Sequence, residues 1–140
     1  MLKLIVGVMG TGKTKVLLEM VNSAVEKSDG CVVCIEKGEK LKFDVKYQAR
    51  LINTVEYGIC NADSLYGMVT GLYVGNFDTT HIFIDSALKI CGENLEEFEK
   101  LILNLDKLSE SCGFECIVTS SMTEDMLGDK IKKYLMEIKH

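Results

Sequence analysis

The sequence predicts an α/β fold, a single-domain three-layer sandwich with a mostly parallel sheet between helices. Three observations carry this expectation. Short apolar runs rich in β-branched residues recur along the 140 residues, segments with helical spacing of apolar positions separate them, and glycines, with no proline anywhere, supply the turns. Composition agrees. At 47% hydrophobic and 26% charged the chain is of ordinary globular type, and its length fits one domain, residues 1–140.

Taken in order, Leu2 to Val8 is an apolar run that ends in glycines, a first strand. Thr14 to Lys27 places Val16, Leu17, Met20, Val21, Ala24 and Val25 on one helix face, and Ser28, Asp29 and Gly30 end it. "CVVCIE", Cys31 to Glu36, is a second strand. Leu41, Phe43, Val45 and Tyr47 alternate as in a strand, and "RLINTVEYG" reads as another. Asn61 or Asp63 caps a helix carrying Leu65, Val69, Leu72 and Tyr73. His81 to Asp85 is a buried strand, and Leu95, Phe98, Leu101, Ile102, Leu105 and Leu108 mark a long helix. Phe114 to Ser120 is the last strand, and Ile131, Tyr134, Leu135 and Ile138 mark a closing helix.

The chemistry concentrates at strand ends. "GVMGTGKT" fits G-x-x-x-x-G-K-[ST], with Gly7, Gly12, Lys13 and Thr14 in the fixed places, a strand before and a helix after. A phosphate needs several backbone N–H groups in a tight loop, which requires glycines, and the helix N-terminus adds a favourable dipole. The candidate nucleotide contacts are therefore Gly7, Met9, Gly10, Thr11, Gly12, Lys13, Thr14 and Lys15, with Lys13 on the β and γ phosphates and Thr14 a ligand of Mg²⁺. The competing reading is a plain glycine turn. Asp85, which follows the apolar run of Ile82, Phe83 and Ile84, is the expected second metal ligand.

On these two motifs the chain resembles the P-loop NTPase superfamily. "IFIDSALKI" is similar to the metal strand of its RecA-like branch, which includes twitching-motility and secretion ATPases. The resemblance implies ATP with Mg²⁺, and a glutamate at the end of the strand after the first helix that activates water. Glu36 stands there, against a plain reading as a solvated loop residue. It also implies a sensor of the γ-phosphate at the end of "IVTSS", with Ser120 or Thr119 as candidates. Where many relatives carry a glutamate directly after the metal aspartate, this chain has Ser86. Motor ATPases of this kind add further domains and an arginine finger, for which Arg50 is the one arginine available.

These features lead to an expected function of Mg·ATP binding with slow hydrolysis. The alternatives are a nucleotide-binding switch, with the Lys37 to Gly58 segment as its output, and a small-molecule kinase. One arginine argues against the kinase. "NLDK" at Asn104 to Lys107 lacks the N-K-x-D order that reads guanine, and the resemblance implies ATP over GTP. A net charge of −5 argues against nucleic acid, although "EKGEKLKFDVKYQAR" carries five cations. No apolar run reaches the ~20 residues of a membrane span. The start does not read as an export signal, which places the protein in the reducing cytoplasm, with free thiols at Cys31, Cys34, Cys60, Cys91, Cys112 and Cys116. On a strand, Cys31 and Cys34 face opposite ways and cannot share a metal. His81 and His140 are expected bystanders. With the phosphate-loop strand at the sheet edge, that edge would take a second copy or a partner.

Overall fold

The computed structural model describes residues 1–136, arranged around one five-stranded sheet in the order β1-β5-β4-β2-β3. The elements are β1 (Leu2–Gly7), α1 (Lys13–Lys27), β2 (Cys31–Glu36), β3 (Arg50–Asn53), α2 (Ala62–Gly75), β4 (Thr79–Ile84), α3 (Ala87–Ile90), α4 (Leu95–Cys112) and β5 (Glu115–Ser121). All pairings are parallel. The sheet is thus wholly parallel, because every connection from one strand to the next returns the chain to the same end.

The inner strands bury both faces, as their apolar runs demand, while the edge strand β3 buries only Ile52. Ile5, Val32, Cys34, Phe83 and Ile117 pack beneath Leu17, Val21 and Ala24 of α1. On the opposite face Leu4, Val33, Ile35, Ile82, Ile84 and Val118 pack against Leu65 and Val69 of α2 and Phe98, Leu101, Ile102 and Leu105 of α4. Cys34 lies on the α1 side, and Cys31 packs against the other core. Asn61 caps α2, accepting from the Ser64 N–H, while the Ser64 hydroxyl accepts from the Asn61 N–H.

Register brings the functional ends together. Gly7 pairs with Ser121, Ile84 with Val118, Ile35 with Ile84, and Glu36 with Asn53. Asp85 therefore follows β4 directly beside the ends of β2 and β5, its N–H donating to the Ile35 carbonyl at 2.8 Å.

Three expectations change. Of "RLINTVEYG" only Arg50–Asn53 is strand, and Thr54–Tyr57 is a 3₁₀ turn begun by the Asn53 side chain, which accepts from the Val55 N–H. The alternation from Leu41 to Tyr47 is not a strand: the N–H groups of Asp44 and Val45 both turn back to the Leu41 carbonyl. The Asn22 side chain bridges the same segment, donating to the Asp44 carbonyl and accepting from the Lys46 N–H. Leu41 is buried under α1, whereas Phe43 and Tyr47 are each 91% exposed. Local turn bonding outweighs the period-2 pattern.

The closing helix is also absent over the described residues. Lys132–Tyr134 is a single 3₁₀ turn, after which Leu135 bridges Leu4 in parallel and the Met136 N–H donates to the Leu4 carbonyl at 2.8 Å. Ile138 lies outside the described residues. An open β1 edge offers unpaired backbone groups, and this segment satisfies part of it, so the edge expected to take a partner is covered in part by the chain itself. The strap is fastened by the Tyr134 hydroxyl, which donates to Asp106 Oδ2 at 2.7 Å. Tyr134→Phe should lower unfolding stability by about 1 kcal/mol, the scale of one net hydrogen bond. Urea denaturation would show it, and an unchanged midpoint would mean that the strap is held elsewhere.

Candidate functional site

The loop between β1 and α1 is built on close backbone approach. Gly10 and Gly12 have φ of +85° and +88°, the left-handed region that side chains disfavour. A Cβ on Gly7 would stand 2.5 Å from Thr11 Oγ1. The Val8 carbonyl anchors the loop from inside, accepting from the Thr11 N–H at 3.3 Å, Thr11 Oγ1 at 2.7 Å and Lys13 Nζ at 3.0 Å. Helix α1 starts at Lys13 with no side-chain cap, which leaves the N–H groups of its first turn without a capping side chain.

Around this loop lies a cavity of about 410 Å³ lined by Met9, Gly10, Gly12, Lys13, Thr14, Lys15, Lys40, Leu41, Asp85, Ser86, Lys89 and Ser121. Four lysines and one carboxylate face it, a strongly cationic lining in an acidic chain. Lys13 is buried, and burial lowers its pKa below the usual lysine range; Asp85 counters this and Lys89 adds to it. Its ammonium donates to the Val8 carbonyl rather than pairing with Asp85.

The turn after β4 presents Asp85. Ser86 adopts φ 58° and ψ 47°, a left-handed conformation costly for a residue with a Cβ. Thr119 Oγ1 donates to Asp85 Oδ1 at 2.7 Å and accepts from the Ser86 N–H at 2.9 Å. Asp85 Oδ2 accepts from Ser86 Oγ at 3.3 Å. Thr14 is exposed on the same cavity, so a divalent cation there would find hard oxygen donors from both residues, as Mg²⁺ requires. No group of three or more His, Cys, Asp or Glu that could hold a metal occurs among the described residues. The remaining ligands would have to come from phosphate oxygens and water.

Glu36 takes a third position, neither in solvent nor on this cavity. It is buried, and its carboxylate accepts the Lys40 N–H at 2.9 Å and the Leu41 N–H at 3.2 Å. It latches the loop that closes one wall of the glycine-loop cavity, and it lines a neighbouring cavity of about 670 Å³ beside β3. Burial pushes its carboxyl above the ordinary range; the two N–H groups oppose this and Asp85 adds to it. Cys34 lies near both acids, and burial foremost pushes its thiol to about 12.

Ser120 does not face the glycine loop. It points to the α2/α4 layer with Val118, and its Oγ accepts from the Leu88 N–H at 3.1 Å. The β5 residues on the loop side are Thr119 and Ser121. Lys40, Leu41, Ser86, Lys89 and Ser121 are lining residues that motif reading did not assign to the site. The signals were the polar end of "IVTSS" and lysines close behind Glu36 and Asp85. Arg50 is exposed on β3, beside the larger cavity.

No family model matches the chain, and comparison with curated proteins finds no match.

Because the Glu36 carboxyl is raised in the fold, its ionisation costs stability as pH climbs from the unfolded glutamate range through the raised folded value. Glu36→Gln removes that cost. The stability of Glu36→Gln relative to the parent should therefore move in the variant's favour between about pH 4.5 and neutrality. Urea midpoints across that range test this; a gap that stays flat or moves the other way contradicts it.

Proposed function

We propose that the protein binds Mg·ATP in the glycine-loop cavity and hydrolyses it slowly, in the manner of a P-loop NTPase of the RecA-like branch. One observation carries the reading: a glycine loop in left-handed conformation opens a helix beside four lysines, with a single buried carboxylate, Asp85, at the end of the next-but-one strand. That is the lining a polyphosphate with one divalent cation requires.

In this reading the N–H groups from Gly10 to Thr14 receive phosphate oxygens, and Lys13 exchanges the Val8 carbonyl for them. Thr14 and Asp85 hold Mg²⁺, which neutralises charge on the phosphates. Lys15, Lys40 and Lys89 add positive field. ATP is favoured over GTP by resemblance. Glu36 serves as the group that orients water, but only after releasing the Lys40 and Leu41 N–H groups, which makes turnover slow and dependent on the loop. The absence of any helix among the described residues long and apolar enough to cross a membrane is compatible with this reading.

The same latch favours a second reading, a nucleotide-gated binding module. Lys40 and Leu41 wall the glycine-loop cavity, while Gly38, Glu39 and Lys42 of the same segment wall the larger one. Nucleotide contacts on one side would shift the surface on the other.

Lys13→Ala should weaken Mg·ATP binding about tenfold or more, as expected for loss of a charge-assisted contact. Glu36→Gln should retain binding while phosphate release falls about 100-fold. Calorimetry and phosphate release measure both. Binding untouched in Lys13→Ala would remove the proposed site; turnover untouched in Glu36→Gln would remove Glu36 from the chemistry.

A further inference from the structure

We infer that Thr119 is a positioning residue that presents Asp85 to the metal through one oxygen, and so sets a preference for Mg²⁺ over Ca²⁺. The inference rests on the Mg·nucleotide reading above and adds a determinant of metal choice to it.

The hydroxyl of Thr119 is buried and has one proton. The Ser86 N–H occupies its acceptor side at 2.9 Å, so its proton is directed at Asp85 Oδ1, 2.7 Å away. β-Branching restricts rotation about Cβ, so the donor direction is fixed by packing as well as by bonding. Ser86 stands in a left-handed conformation while its N–H is held on this hydroxyl. Ser120 Oγ holds the Leu88 N–H from the opposite face, so two consecutive hydroxyls of β5 clamp the turn from both sides.

An oxygen already accepting a short hydrogen bond is the poorer metal donor, and the carboxylate cannot swing to offer both oxygens without breaking it. Oδ2, with only the longer Ser86 Oγ contact among its hydrogen bonds, is the oxygen left to serve. Mg²⁺ takes carboxylates through one oxygen in a tight octahedron and keeps its waters, whereas Ca²⁺ accepts two-oxygen carboxylates at longer distance. The clamp therefore suits the smaller ion.

The test measures affinity for an ATP analogue with EDTA, Mg²⁺ or Ca²⁺, for the parent, Thr119→Ser, Thr119→Val and Thr119→Cys, with melting temperatures in parallel. Thr119→Ser should keep the parent's Mg²⁺-to-Ca²⁺ preference. Thr119→Val should shift it about tenfold toward Ca²⁺; Thr119→Cys, a weak donor, should fall between and carries the test if Thr119→Val does not fold. A preference unchanged in Thr119→Val and Thr119→Cys overturns the inference while leaving the nucleotide site standing. A parent that binds no nucleotide under any condition removes both.

Discussion

The turn at Asp85 is the constraint on which the candidate site depends. Its backbone N–H is tied to β2 through Ile35, its carboxylate to β5 through Thr119, and its successor is held in a left-handed conformation that β5 also stabilises. Three strands thus converge on one carboxylate. Because all strands run parallel, their carboxyl ends meet, and the glycine loop that leaves β1 opens beside that convergence.

Electrostatics supports the proposed anion site. Asp85 and Glu36 are buried near each other at the ends of adjacent strands, and Glu36 survives there by accepting two backbone N–H groups. Lys13 is buried with them, answered within its loop by a carbonyl. Lys15, Lys40 and Lys89 line the same space. A buried cation is costly without a charged partner, so an anion entering this cavity would relieve Lys13, while the more exposed Lys15, Lys40 and Lys89 would add positive field. The latch at Glu36 binds this space mechanically to the larger cavity beside β3, through a loop that faces both.

Much of this was legible in the sequence, for reasons specific to each element. The strands of "LKLIVG", "CVVCIE" and "FECIVTS" are apolar on both faces, the pattern of a covered parallel sheet when helical segments alternate with the strands. The glycine loop was legible because its spacing is dictated by backbone geometry. The closing segment was not, because Tyr134 and Leu135 satisfy a helical period while the unpaired Leu4 carbonyl, 130 residues away in the chain, decides the outcome. Nor was the latch: Glu36 looks like a strand-end acid of either kind until the loop is seen folding back onto it. The roles of Thr119 and Ser120 hinge on which face of β5 each occupies, and "TSS" alone leaves that register open.

The most direct measurement is a crystal structure of the protein with Mg²⁺ and a non-hydrolysable ATP analogue. The account predicts phosphates on the N–H groups between Gly10 and Thr14, Lys13 Nζ moved from the Val8 carbonyl onto them, and the ion between Thr14 and Asp85. Nucleotide seated in the cavity beside β3, or phosphates with Lys13 still on Val8 and Asp85 away from the ion, would contradict it.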